Sequence, residues 1–149
     1  MDAIDRQLVE LLRGNARLSY AELARRVGLS APAVYERVGR LEATKVIRAY
    51  RADVEPEAIG LGVTALIGIV EESDADPDVV VEDLRKLSEV EACYFVAGVE
   101  SFVLTVRVGT IAELERLIMR LNRTPGVAST RTAIVLSTRW ENRPRPVEP

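Results

Sequence analysis

Residues 19 to 51, SYAELARRVGLSAPAVYERVGRLEATKVIRAYR, hold two helix starts and a glycine turn so closely spaced that they leave room for little besides two short crossing helices. Ser19 and Glu22 have the three-residue spacing of a capping box, in which hydroxyl and carboxylate satisfy each other's free amide donors, so a helix is predicted from Tyr20. Leu23, Ala24 and Val27 share one face of it. Gly28-Leu29-Ser30 then supplies a breaker, a buried anchor and a second N-cap. Pro32 falls in the first turn of the next helix, where a missing N–H costs nothing. Val34, Val38 and Leu41 recur at i, i+4 and i+7 and must face inward, leaving Pro32, Ala33, Glu36, Gly39 and Arg40 outward.

Two short helices with a glycine in the turn are what a helix-turn-helix requires, its second helix entering the major groove of duplex DNA. Spacing alone leaves a generic helical hairpin as an equal alternative. Charge favours DNA. Residues 1–52 carry ten Arg or Lys against six Asp or Glu, net +4; residues 53–149 carry ten against seventeen, net −7, together giving the −3 of the chain. Cations gathered on one face bind a polyanion even when the whole protein is acidic. The candidate DNA-contacting residues are Arg25, Arg26, Ser30, Ala31, Ala33, Tyr35, Glu36, Arg37, Arg40, Lys45 and Arg48, with Arg51 further along the phosphate track. Arg40 is the leading candidate for a base or phosphate contact, and Glu36 is placed to accept from a cytosine amino group. At Tyr35 packing and contact weigh equally.

Before the motif, Ile4, Leu8, Leu11 and Leu12 form one stripe of a first helix ending at Gly14, which makes a three-helix head. After it, residues 46–52 alternate apolar and polar as an extended exit strand would. Asp53 to Gly60 is a turn-rich boundary around Pro56. The expected domains are 1–52, a hinge over 53–61, a second domain over 62–138 and a proline-rich tail over 139–149, extended beyond Trp140.

The second domain reads as strand 63–70, helix 78–87, strands 90–97 and 102–108, helix 112–123 and strand 127–136, the βαββαβ order of a ferredoxin-like fold. Asp76-Pro77 starts its first helix; Thr110 with Glu113 makes a capping box for the second, and Thr124-Pro125-Gly126 stops it. The fold class is therefore α+β. Strands 63–70 and 91–97 are apolar on both faces, yet two helices cover only one side of a sheet. A second subunit is the expected cover, with packing of the first domain across this face as the alternative. Such an isologous dimer places two recognition helices for palindromic half-sites about 34 Å apart.

Several classes are excluded by composition. Histidine is absent, which removes the commonest general base and transition-metal ligand. There is no phosphate loop, nucleophile elbow or cysteine pair, so neither enzymatic activity nor a metal or cofactor is expected. Cys93, the single cysteine, reads as a buried small hydrophobe in a reducing compartment. No apolar run approaches the ~18 residues of a membrane span, and the N-terminus lacks a signal-peptide pattern. The expected location is the cytoplasm, at the nucleoid.

Particular residues resemble the feast/famine, or Lrp/AsnC, transcriptional regulators over nearly the whole length. Asp2, Ile4, Asp5, Arg6, Leu8, Leu11-Leu12 and Ala16-Arg17 are similar to the family's opening helix; Glu22-Leu23-Ala24 and Val27-Gly28-Leu29-Ser30 to its motif. Arg37-Val38, Arg40-Leu41-Glu42 and Val46-Ile47 are similar to its recognition helix and exit strand, and Gly60 and Ala97-Gly98 to its effector domain. The resemblance implies a winged or extended helix-turn-helix on a βαββαβ domain, dimers that assemble further, often to octamers, and regulation by a bound amino acid. Two departures stand out: Lys45 where the family usually has glycine, which predicts a strained left-handed residue, and Ser101 where aspartate is common.

The resemblance carries Gly98, Glu100 and Ser101 over as effector-binding residues, within the loop that also holds Val99. The loop suits a zwitterion, since backbone amides receive a carboxylate and Glu100 or Ser101 an ammonium group. A plain hairpin turn remains the alternative. Tyr94, Thr130 and Thr132 on neighbouring strands complete the candidate pocket. The expected function is a sequence-specific transcriptional regulator with an amino-acid effector. Its rivals are an effector-independent DNA-organising protein of the same fold, a sensor acting on a protein partner, and an enzyme resembling siroheme decarboxylases, which rely on histidines this chain lacks.

Overall fold

The computed structural model describes residues 1–142, so most of the proline-rich tail lies outside the described residues. The chain divides into two compact units, Met1–Asp53 and Val54–Arg139. The first is all helical: α1 (Ala3–Gly14), α2 (Tyr20–Val27) and α3 (Ala31–Ala43). Leu8, Leu12, Leu23, Ala24, Val34 and Val38 form its core, with Ile4, Leu11, Val27, Leu29 and Ile47 packed around them. Each fully buried Leu or Val contributes roughly 1.5–3 kcal/mol relative to exposure. That burial, rather than helix propensity, holds three helices this short.

The helix starts are built as the sequence requires. Ser19 accepts from the Glu22 amide while Glu22 takes the Ser19 amide, closing the box. Gly28 terminates α2 in the left-handed conformation at φ +73°. Ser30 caps α3, and Lys45, just past its end, is left-handed at φ +60°. The expected exit strand does not form: residues 46–52 run as bends and irregular chain with no ladder partner among the described residues. A strand needs a neighbour, and this unit offers only helices. Ile47 is held instead by its amide, which donates to the Leu41 carbonyl at 3.0 Å, and by packing against the head core.

The second unit opens with a 3-10 turn, Pro56–Ile59, and continues as β1 (Val63–Glu71), α4 (Pro77–Arg85), β2 (Val90–Phe95), β3 (Phe102–Val108), α5 (Ile111–Leu121) and β4 (Val127–Ile134). The sheet order is β2-β3-β1-β4, antiparallel throughout. Both helices, like β2 and β4, end two residues sooner than expected. Thr110 caps α5, but Glu113 reaches the Gly109 amide at 2.8 Å instead of completing a box with Thr110.

One face of the sheet is dry. Ala65, Ile67, Ile69, Phe102, Leu104, Val106 and Val108 pack against Val80 and Leu84 of α4 and Leu114, Leu117 and Leu121 of α5. The alternate positions face the other way, where this unit has no helix; there Leu66 is 43% and Tyr94 58% exposed. Cys93, expected to be buried, is exposed: it pairs with Leu104 on the helix side of the sheet, but β2 is the outermost strand and lies at the edge of that cover.

Candidate nucleic-acid interface and effector face

The head presents α3 with its inward stripe of Val34, Val38 and Leu41 buried and Pro32, Glu36 and Arg40 exposed. Arg25 and Arg26 lie exposed in the last turn of α2, and Lys45, Arg48 and Arg51 are exposed beyond α3. Ala31 and Ala33 are half-buried at the start of α3, where small residues let a backbone approach closely. The Ser30 oxygen is engaged with the Ala33 amide, which makes it a cap first. Tyr35 is exposed and meets Tyr20 edge to face, with ring centroids 5.3 Å apart. Tyr50, behind α3, donates to Glu42 at 2.7 Å; burial and that carboxylate push its pKa well up.

Arg37 differs from the other cations. Its Nη1 donates to Asp2 at 2.6 Å and to Asp5 at 2.7 Å, tying α3 to the start of α1. Asp5 is only 4% exposed. Burial there opposes its charge, but the Arg37 hydrogen bond and the Asp2 amide outweigh it and hold its pKa below the ordinary carboxylate value. For Asp2 the Asp5 amide acts first and Arg37 second, in the same direction. Arg37 is thus paired within the head, whereas Arg25, Arg26, Arg40, Lys45 and Arg48 keep exposed side chains.

On the second unit the structure brings some effector candidates together and separates others. Gly98 and Val99 are exposed at the tip of the β2–β3 loop. The Ser101 amide, one of those expected to receive a carboxylate, donates to the Ile69 carbonyl at 2.8 Å, and its carbonyl accepts from Val96 at 2.9 Å. These bonds fasten the loop to the sheet. Glu100 then lies back over Gly68 of β1, so closely that a Cβ there would stand 2.5 Å from its Cγ. Arg131 of β4, the partner of Gly68 in the ladder, donates to Glu100 at 3.1 Å. Tyr94 pairs with Val103 and shares this open face.

Thr130 and Thr132 do not. They pair with Ile69 and Ile67, whose side chains are in the helix-covered core, and antiparallel partners share a face. The residues of β4 on the open face are Ser129, Arg131 and Ala133. Arg131 was missed from the sequence; a lone charge on an otherwise small and polar strand was the available signal. A second ion pair on the same face, Arg107 with Glu91 at 2.8 Å, has Arg107 also reaching Thr64.

Comparison with known proteins decides the family. Residues 1–42 match the AsnC-type helix-turn-helix domain, and residues 63–145 match the Lrp/AsnC ligand-binding domain. The chain belongs to the Lrp/AsnC family. It is 43% identical over 143 residues to the HTH-type transcriptional regulator LrpA of Mycobacterium tuberculosis, covering 96% of this chain and 95% of that one. To the regulatory protein AsnC of Escherichia coli strain K12 it is 35% identical over 137 residues, covering 91% and 90%. The solved feast or famine regulatory protein of M. tuberculosis in complex with L-methionine superposes with a TM-score of 0.92 at 42% identity, covering 98% and 99%. This Lrp/AsnC chain is accordingly a helix-turn-helix transcriptional regulator with a ligand-binding domain, and its relatives are regulators rather than enzymes.

Proposed function

We propose that this Lrp/AsnC regulator reads palindromic half-sites with α3 from two subunits and that an amino acid bound on the open sheet face controls the assembly. The observation that carries this is the Glu100–Arg131 pair on a sheet face that also carries Leu66, Val70, Val103 and Tyr94. An α-amino acid presents a carboxylate and an ammonium group a few ångströms apart. Arg131 is a fork for the first and Glu100 an acceptor for the second. The apolar part of the face suits a second copy of the chain, because an isologous interface buries the same patch on both subunits. Such dimers assemble further, to an octamer, and work at the nucleoid in the cytoplasm. The L-methionine complex of the M. tuberculosis relative supports an amino-acid ligand.

Ligand bound at or beside an interface favours one assembly over another and so changes affinity for spaced half-sites, with a coupling of about 1–3 kcal/mol, several-fold to a hundredfold. The test is anisotropy of a labelled duplex from upstream of this protein's own gene, against a scrambled duplex, with and without pooled L-amino acids. Sedimentation velocity under the same conditions follows the assembly. The expected result is tighter binding to the native duplex, steep salt dependence and a shift on adding the pool, lost in Arg131→Gln. Equal binding to both duplexes, unmoved by the pool, refutes the proposal.

A further inference from the structure

Asp5 holds more partners than a capping residue needs. Its Oδ2 accepts the Asp2 amide at 3.1 Å while the Asp5 amide donates to Asp2 at 2.8 Å, and those two bonds complete the box that begins α1. A neutral amide or hydroxyl serves that purpose as well. The remaining oxygen, Oδ1, accepts Arg37 Nη1 at 2.7 Å and Arg40 Nη2 at 3.5 Å, both from α3 and 32 and 35 residues away in sequence. A carboxylate so little exposed stays charged only when well paired, and both of its cationic partners here come from the recognition helix.

The two arginines are held differently. Arg37 is gripped by Asp5 and Asp2 through the same nitrogen, and its side chain is 25% exposed. Arg40 touches Asp5 with one nitrogen, its side chain is 61% exposed, and among the described residues that carboxylate is its only side-chain partner. One edge of its guanidinium is therefore tethered and the rest of the fork is free. An arginine fork that meets a base edge gains from being held in one orientation beforehand, since the planar group must present two donors at once.

We propose that Asp5 is a positioning residue for sequence discrimination, withdrawing Arg37 from the DNA face and aiming Arg40 at a guanine edge. This rests on α3 being the helix that enters the groove. The division of labour follows from geometry: one arginine fixes the helix to α1, and the next along the same flank reads.

The experiment measures binding of the full-length protein to the native and scrambled duplexes for wild type, Asp5→Asn, Arg40→Gln and the double variant, at several salt concentrations. Asn keeps an acceptor for the Asp2 amide and removes the charge that orients Arg40. Asp5→Asn and Arg40→Gln are each expected to lower the preference for the native duplex about tenfold, the discrimination of a bidentate base contact. The double variant is expected to be no worse than Arg40→Gln alone, because both remove one contact. Effects that multiply, or an Asp5→Asn that weakens both duplexes equally, overturn the proposal and leave Asp5 a stabilising cap. Arg40→Lys, at an exposed side chain, guards against a poorly folded Asp5 variant: it keeps the charge but not the fork, and full discrimination in it also overturns the proposal. Wild type with no preference for the native duplex refutes instead the groove-reading role on which this rests.

Discussion

Lys45 stands at φ +60°, a conformation that costs an ordinary residue about 1–2 kcal/mol, just where helices commonly end on glycine. The turn it makes is fixed from both sides: its own amide donates to the Glu42 carbonyl and the Ile47 amide to the Leu41 carbonyl, each at 3.0 Å. The exit segment cannot take its course unless this residue is left-handed. Glycine removes the strain but frees the unfolded chain, which costs roughly 0.4–1 kcal/mol. Lys45→Gly should therefore stabilise the head by about 0.5–1 kcal/mol, the difference of the two. Gly28, between α2 and α3, is the reciprocal case at φ +73°, with no atom within 4 Å of where a Cβ would sit. Gly28→Ala meets only the backbone penalty and should cost about the same amount. Hydrogen exchange of α2 and α3 amides, at fixed protein concentration without DNA, reads both. Exchange is expected to slow about two- to fivefold in Lys45→Gly and to quicken by a similar factor in Gly28→Ala, as a tenfold change corresponds to about 1.4 kcal/mol. A Lys45→Gly head that opens faster than wild type refutes the reasoning and assigns the Lys45 side chain a stabilising contact that outweighs its strain.

Gly68→Ala should push Glu100 off the sheet and part it from Arg131. The exposed pair itself contributes only about 0–1 kcal/mol, so thermal unfolding should change little while the response of DNA binding to amino acids falls; an intact response refutes the placement of the ligand there. Ser101→Asp should alter which L-amino acids act, read by the same anisotropy titration, and an unchanged ligand profile removes the loop from ligand selection. Acid should loosen the head. The folded pKa values of Asp2 and Asp5 lie below the ordinary 3.8, so their contribution is present above that value and is lost as pH falls through the folded values. Exchange of α1 and α3 amides below pH 3.8 should rise more steeply in wild type than in Asp5→Asn, and parallel profiles refute the assignment.

The helix boundaries were legible because capping is local. Ser19 with Glu22, Ser30 ahead of Pro32 and Asp76 ahead of Pro77 each act within a few residues of themselves, so spacing alone carries the information. The order of strands and helices, and the apolar excess of β1 on both faces, were readable for the same reason: period two and period 3.6 are properties of a short window. The left-handed turn at Lys45 followed from the family resemblance, which has glycine at that place.

What the sequence could not decide is which distant residues meet. Alternation along β4 offers two sets, Thr130 and Thr132 or Ser129, Arg131 and Ala133, and only pairing with β1 decides which shares a face with Glu100. A one-residue difference in register exchanges the two sets. The exit segment has a strand's alternation but no neighbour in its unit, so pattern alone overstated it. Arg37 had the composition of a phosphate contact and proved to be a clamp, because Asp2 and Asp5 lie more than thirty residues away and reach it only once α1 packs against α3. Local spacing determined the elements, and particular residues carried the family resemblance; the partners of the charges, and hence which of them remain free to act, were decided by packing across the chain.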